Sequence, residues 1–218
     1  MVYDEIHRAI AERRLLPGTR LTEDALAEVF SVSRARIRRV LLLLAKENVV
    51  HLEPNRGAFV WRPSLSEARN VLDARRVIEL EIVKGAANTA NSGHITELRR
   101  IVAEERKAIA ATDYARSIRL SGEFHMALAH SGNNPIFSEF LAGLITRCYL
   151  ILATYQKRDA LVCPQSDHEG LVDLIESRDE AGAVAALQLH FDHIEHELDL
   201  SGRLTGNLTL KQIFARPN

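Results

Sequence analysis

Residues 33–46 place arginines and apolar side chains on opposite faces of one short predicted helix. From Val29 to Lys46 there are five basic residues and no acidic one. The apolar residues of this segment recur at helical spacing, namely Ile37, Val40, Leu41 and Leu44. One face therefore suits a protein core and the other presents guanidinium groups, a pattern typical of a helix that enters a DNA groove.

The segments around this arginine-rich helix complete a compact motif. Apolar periodicity predicts a first helix that ends at Leu16-Pro17-Gly18. Thr22 is a candidate N-cap of a second helix, and a short turn leads from that helix to the third. After Asn48 the period changes, and two predicted strands flank the turn Glu53–Gly57. Three helices followed by a hairpin predict a winged helix-turn-helix over residues 1–62.

The rest of the chain, residues 63–218, shows helical periodicity and no strand-like alternation. Six helices are predicted, at about 64–91, 93–111, 113–131, 134–157, 164–178 and 179–200. Their short connections favour antiparallel packing of neighbouring helices. The predicted fold class is mainly α, with the winged helix-turn-helix followed by an all-α antiparallel helical bundle.

Charge is distributed unevenly between these two parts. Residues 1–62 carry a net charge of +3 and residues 63–218 carry −4, which suits a DNA-binding head on a body that does not bind DNA. No run of about eighteen apolar residues and no secretory signal is present, so no membrane association is expected. Cys148 and Cys163 form no CxxC pair and are typical of reduced cysteines, which predicts a cytoplasmic protein.

Several side chains of the head are candidates for DNA contacts. Arginines near the start of such a helix can bind guanine O6 and N7 or a phosphate, and a serine N-cap suits a phosphate. At a wing tip, glycine allows close approach and arginine can enter the minor groove. The candidates are Ser33, Arg34, Ala35, Arg38, Arg56 and Gly57. The alternatives are a solvated arginine face, or a basic helix that binds an acidic protein.

Two stretches of the head resemble the winged helix of the GntR family of bacterial transcription regulators. They are Leu21–Glu28 continuing to Ser33-Arg34-Ala35-Arg36-Ile37-Arg38, and Arg56-Gly57-Ala58-Phe59-Val60. The resemblance implies that Ser33, Arg34, Arg38 and Gly57 contact operator DNA. Four positions depart from the family pattern: Asp24, Ser31, Ala35 and Arg39 stand where arginine, glycine, threonine and glutamate are usual. The family's usual operator sequence is therefore not implied.

The helical part resembles the ligand-binding domain of the FadR-type subgroup, in its smaller six-helix VanR-like variant. The matching segments are Arg75–Glu79, Glu123-Phe124-His125 with Gly132–Pro135, and Asp167-His168 with His190. In many such domains an aspartate and three histidines bind a divalent metal, with zinc as the default and nickel or manganese as alternatives. The resemblance implies that His125, His168 and His190 are ligands. Ser121 occupies the aspartate's position, where a neutral hydroxyl should weaken metal binding.

The resemblance also implies how such a protein works. A small organic acid would bind near the metal, with Arg75, Arg76 and Arg147 as candidate carboxylate anchors. A homodimer would place two recognition helices in successive major grooves of operator DNA, so a ligand-controlled repressor is expected. Two alternatives remain: the histidines could be hydrogen-bonded core residues, or they could form a metal-dependent hydrolase site with Glu123 as the nearby base.

Overall fold

The N-terminal part of the molecule combines three helices with a small antiparallel sheet. The computed structural model describes residues 2–54, 56–157 and 165–201, so Cys163 and residues 202–218 lie outside the described residues. The N-terminal elements are α1 (Val2–Ala11), β1 (Arg20–Leu21), α2 (Glu23–Phe30), α3 (Arg34–Lys46), β2 (Val50–Glu53) and β3 (Gly57–Val60). This order of elements is that of a winged helix-turn-helix.

Side-chain caps begin the second and third helices where the sequence predicts them. Thr22 accepts a hydrogen bond from the backbone N–H of Ala25, and Ser33 accepts one from Arg36. On α3 the residues Ile37, Leu41 and Leu44 are buried, as their spacing predicts, whereas Val40 is only partly buried. The arginine-bearing face of α3 is consequently left on the surface.

The wing contains three strands in the order β1-β3-β2. Strands β2 and β3 pair antiparallel, with Val50 opposite Val60, and this pairing is the predicted hairpin. Strand β1 was not predicted from the sequence. It has only two residues, with Arg20 opposite Phe59, and so short a segment shows no periodicity.

Six helices form the remainder of the described chain. They are α4 (Leu65–Thr89), α5 (Ser92–Ala110), α6 (Tyr114–Ser131), α7 (Pro135–Tyr155), α8 (Gln165–Glu176) and α9 (Glu180–His196). A capping box between Ser64 and Glu67 begins α4. The largest departure from the predicted bounds is at α9, which ends at His196 because the following segment turns back and Leu198 pairs with Gln156.

Helix α7 is unusually apolar for a helix with so much exposed surface. Among the described residues it alone has a length and composition that would allow a membrane span. It packs against α1, α4 and α6, the arrangement of a bundle helix. However, only 39% of its most apolar window is buried inside the molecule, and the side chains of Ile136 and Phe140 are more than half exposed.

The head and the bundle meet along α7, in a contact that we call the junction (His7, Glu47, Trp61, Thr146 and Arg147). The Nδ1 atom of His7 lies 3.0 Å from Oγ1 of Thr146, and its Nε2 atom lies 3.2 Å from a carboxylate oxygen of Glu47. The guanidinium of Arg147 lies 4.9 Å from the ring centroid of the buried Trp61. The junction therefore joins the head to the bundle through polar and aromatic contacts.

Candidate metal centre and nucleic-acid interface

Three histidines from three different helices meet inside the bundle. His125 lies on α6, His168 on α8 and His190 on α9, and each is no more than 2% exposed. One ring nitrogen from each lies within 4.8 Å of the others. The Nε2 atoms of His125 and His190 are 3.2 Å apart. Two nitrogen ligands of one tetrahedral zinc ion would be separated by about 3.3 Å, so the spacing suits a shared metal ion.

Each of these histidines also has a carboxylate beside its other ring nitrogen. The Nδ1 atom of His125 lies 2.5 Å from Glu79, and that of His168 lies 2.7 Å from Glu105. The Nδ1 atom of His190 lies 3.4 Å from Asp167, whose carboxylate also contacts His193 at 2.8 Å. Carboxylates in this position orient metal-binding imidazoles.

This arrangement sets the tautomer of His168. A carboxylate only accepts hydrogen bonds, so the 2.7 Å contact with Glu105 places the proton of His168 on Nδ1 and leaves its Nε2 with a lone pair. The Nε2 atoms of His125 and His190 lie 3.2 Å apart and face each other. Nε2 of His168 is buried and has no hydrogen-bond partner among the described residues. A cation between these Nε2 atoms would satisfy them, so the residues present fit a divalent metal.

Burial keeps the rings of His125 and His190 neutral. Burial lowers the pKa of His125 to about 4 and that of His190 to about 3, against the opposing effects of Glu79 and Asp167. Burial would raise the pKa of Glu79, but the Arg75 guanidinium and His125 lower it to about 2. At neutral pH His125 and His190 are therefore neutral and Glu79 is ionised, which suits metal binding by the two imidazoles.

A small interior cavity lies in the same bundle. Its wall includes Arg75, Ser121, Gly122, Cys148 and Tyr149, together with apolar residues. Arg75 is buried and ion-paired with Glu79, and its Nη2 atom has no hydrogen-bond partner among the described residues. Ser121 lies one helical turn before His125. The cavity thus offers a guanidinium donor and a hydroxyl on the helix that carries a histidine of the cluster.

The other two candidate anchors lie elsewhere. Arg76 is partly exposed and forms ion pairs with Asp192 at 2.8 Å and Glu195 at 2.7 Å. Arg147 stacks on Trp61 at the junction. Neither is among the residues that line the cavity, so the geometry does not support the expectation that they anchor a carboxylate there. Of the three predicted anchors, Arg75 alone lines it.

The sequence alone does not predict the carboxylate partners of the three histidines. Glu79 and Asp167 lie in the short segments that resemble the family, whereas Glu105 lies in none of them. A signal for Glu105 does exist, because it interrupts the apolar stripe of α5 between Val102 and Ala108. A carboxylate at a core position of a helix indicates a buried partner.

The arginines of the candidate DNA interface each have a carboxylate partner in the head. Arg34 lies 2.5 Å from Asp24, and Arg38 donates two hydrogen bonds of 2.7 Å to Glu23. Both carboxylates belong to the first turn of α2. At the wing, Arg56 pairs with Glu53 and lies over the ring of Phe59. Each of these arginines thus has an exposed ion-pair partner within the head itself.

Other candidates lie on the same surface. Ser33 and Ala35 are exposed, and Gly57 has a φ angle of +99°, a conformation that glycine adopts readily. Arg36 and Arg39 are exposed as well, and neither forms a salt bridge in the described part of the chain. A groove between α3 and the wing, lined in part by Arg34, Arg38 and Gly57, joins the two DNA-contacting elements of this fold.

Comparison with known proteins agrees with this architecture. Residues 1–60 match the model of bacterial regulatory proteins of the gntR family, and residues 70–193 match the FCD domain. The HTH-type transcriptional repressor NanR of Cronobacter sakazakii is 29% identical, over 89% of this chain and 82% of that protein. The repressor RspR of Escherichia coli K12 is 22% identical, over 90% and 87% of the two chains.

Solved structures show the same fold. Escherichia coli McbR/YncC superposes with a TM-score of 0.78 at 20% identity, over 89% of this chain and 93% of that chain. A putative GntR regulator from Rhodococcus sp. RHA1 superposes with a TM-score of 0.79 at 22% identity, over 93% and 96% of the two chains.

The fold defines a DNA-binding transcription regulator with a helical C-terminal domain. More specifically, the chain belongs to the GntR family, in the group whose C-terminal part is an FCD domain. The family and the relatives are transcription regulators and not enzymes. The hydrolase alternative is therefore set aside.

Proposed function

We propose that this protein is a homodimeric, cytoplasmic repressor whose operator affinity is controlled by a small organic acid bound near a divalent metal. DNA binding is assigned to residues 1–62, through Ser33, Arg34, Ala35, Arg38, Arg56 and Gly57. Effector binding and dimerisation are assigned to residues 63–218. The relatives RspR and NanR are named as transcriptional repressors, which supports repression as the mode of action.

The observation that carries the metal assignment is the convergence of three buried histidines, His125, His168 and His190, whose ligand atoms lie within 4.8 Å of one another. Each also has a carboxylate near its Nδ1 atom, the arrangement that orients metal-binding imidazoles. These three residues would hold the ion, and zinc suits a set of neutral nitrogens. Because Ser121 supplies no charge, the protein would leave coordination positions for water or an acid.

The effector assignment rests on the cavity lined by Arg75, which is ion-paired with Glu79, the carboxylate near Nδ1 of His125. When bound, the metal would act as a Lewis acid that attracts a carboxylate oxygen. Arg75 would orient the same carboxylate through Nη2, since this buried group has no other hydrogen-bond partner among the described residues. Ionised Glu79 holds Arg75 in place. The ligand class is therefore a small carboxylic acid.

The dimer is assigned to an apolar face formed by α4 and α7, which pack side by side. Val77 of α4 is 65% exposed, and Ile136 and Phe140 of α7 are 56% and 61% exposed. Exposed apolar residues on adjacent helices favour burial by a partner, and a second copy of this chain is the partner that a two-fold symmetric operator requires.

Binding to DNA tests the central claim. Duplexes selected from genomic fragments should bind more tightly than random duplexes in fluorescence anisotropy. In protein loaded with zinc, one member of a panel of small carboxylic acids should change the affinity. That acid should have no effect on a His190→Ala variant. Equal affinity for genomic and random DNA would refute the proposed function.

Oligomeric state tests the dimer face. Phe140→Glu should produce a monomer in light scattering and should weaken operator binding, because two heads no longer bind together. The matched control is Leu189→Glu, which places the same charge at a 53% exposed leucine on α9, outside the proposed face. A dimer that survives Phe140→Glu unchanged would place the interface elsewhere.

A further inference from the structure

Asp24 places a negative charge on the surface assigned to DNA. Its Oδ1 atom lies 2.5 Å from Nε of Arg34, and the two side chains are 66% and 70% exposed. A carboxylate on a surface that approaches phosphates opposes binding, because like charges repel. A role for Asp24 in DNA binding must therefore lie in a contact that phosphates do not provide.

The neighbouring Glu23 shows a different geometry. It receives two hydrogen bonds from Arg38, through Nε and Nη2, and its side chain is only 30% exposed. Both of its oxygens are thus engaged in holding one arginine. The contact between Asp24 and Arg34 joins Oδ1 to Nε, so the more exposed carboxylate keeps more acceptor capacity. The two carboxylates are adjacent in sequence, but only Asp24 can readily accept a further hydrogen bond.

We propose that Asp24 is a specificity-determining residue of the DNA interface, an inference that rests on the proposed DNA-binding function. Its carboxylate accepts a hydrogen bond from cytosine N4, the base amino group that Asp and Glu recognise in the major groove. Its ion pair holds Nε of Arg34, which leaves the two Nη groups to bind guanine O6 and N7. The same charge weakens binding to DNA of random sequence.

The decisive variant is Asp24→Asn, which removes the charge and keeps the size of the side chain. An asparagine binds adenine N6 and N7, so sequences selected from a randomised duplex pool should change from cytosine to adenine at one position of each half-site. Affinity for random duplexes should rise about threefold to tenfold at low salt. The salt dependence of that affinity should become steeper by up to about one phosphate contact, since Arg34 is released.

Two controls separate base recognition from charge and from folding. Glu97→Gln removes the same charge from an exposed ion pair with Arg100 on the bundle. Glu53→Gln removes it from the pair with Arg56 at the wing. The bundle control should change neither affinity nor preference, and the wing control should leave preference at the Asp24 position unchanged. Circular dichroism establishes that each variant is folded.

The outcomes distinguish a failure of the role of Asp24 from a failure of the proposed DNA-binding function. If wild-type protein selects no sequence, the proposed function fails and the role of Asp24 fails with it. If wild-type protein selects an operator and Asp24→Asn selects the same one with the same random-DNA affinity as Glu97→Gln, only the role of Asp24 is refuted. Weaker binding of Asp24→Asn to every duplex would also refute it, because Asp24 would then merely support Arg34.

Discussion

The head and the bundle both pair arginines with carboxylates, but the pairs differ greatly in exposure. In the head, the side chains of Arg34 and Asp24 are 70% and 66% exposed. In the bundle, those of Arg75 and Glu79 are 6% and 0% exposed. An exposed pair contributes about 0–1 kcal/mol and can open readily. A buried pair is strongly destabilised when one partner is lost, at a cost of about 3–5 kcal/mol.

This difference matches what each region must do. On the proposed function, Arg38 must exchange Glu23 for DNA, whereas Arg34 keeps Asp24 at Nε and binds DNA through its Nη groups. Exposed pairs that cost little to rearrange suit both arginines. The carboxylates of the bundle must keep the imidazoles in one tautomer, so a pair that stays closed suits them. The same chemistry thus provides exchangeable contacts on the surface and fixed orientation in the core.

The largest effect is expected from breaking the buried pair. Glu79→Ala leaves the Arg75 guanidinium buried without its carboxylate and removes the acceptor of His125. The free energy of unfolding should fall by about 3–5 kcal/mol in urea denaturation. Glu97→Ala, which breaks the exposed pair with Arg100, should cost less than about 1 kcal/mol. Equal costs for the two variants would contradict the comparison.

Loss of a histidine ligand should weaken metal binding more than a change to the carboxylate beside that ligand. His168→Ala removes a ligand and should weaken zinc binding by about a hundredfold or more, measured by competition with a chromophoric chelator. Glu105→Gln keeps the ligand but alters the partner of its Nδ1 atom, and should weaken binding about tenfold to a hundredfold. His130→Ala is the control, because this exposed histidine lies on α6 outside the cluster. If His168→Ala binds zinc as tightly as the wild-type protein does, the three histidines do not form the proposed metal site.

Operator affinity should depend on the exposed pairs of the head. Arg38→Ala should weaken operator binding about tenfold, through loss of a base or phosphate contact. Arg100→Ala is a matched control, since Arg100 donates a similar pair of hydrogen bonds to Glu97 on the bundle surface. That variant should bind the operator like the wild-type protein. A similar loss in both variants would indicate a general effect of charge instead of a DNA contact.

Local features of the sequence were sufficient to predict much of the head. The caps Thr22 and Ser33 and the stripe Ile37, Leu41 and Leu44 are encoded within a few residues of one another, and the structure contains them. Strand β1 could not be predicted, because its pairing with β3 joins residues that are distant in sequence. Short segments acquire a strand conformation from their partner, not from their own pattern.

In the histidine cluster, too, contacts between residues distant in sequence could not be predicted. A resemblance identified His125, His168 and His190, and spacing placed each on a helix. The carboxylate at His168 could not be assigned, because Glu105 lies 63 residues earlier on another helix. From the sequence, Arg75, Arg76 and Arg147 are equivalent candidate anchors. Only the packing of α7 against the head shows that Arg147 faces Trp61 instead of the cavity.

The smallest of the predicted effects is a dependence of the junction's stability on pH. Burial lowers the pKa of His7, against the opposing effect of Glu47, with Asp4, Tyr3 and Thr146 nearby. A lowered pKa in the folded state means that the unfolded chain binds the proton first. The contact therefore loses stability as pH falls below about 6.5, the usual pKa of histidine, and is unaffected above it.

The single tryptophan, Trp61, reports on this junction because it is buried there beneath Arg147. Its emission should shift to longer wavelength as the pH is lowered from about 7.5 to about 5, when protonation of His7 opens the contact. A His7→Gln variant should show a smaller shift, and a variant of the exposed His51, His51→Gln, should behave like the wild-type protein. If the emission of His7→Gln follows the same pH curve as that of the wild-type protein, His7 does not control the contact. The head and the bundle are then held together by Trp61, Arg147 and the apolar packing of α1 against α7.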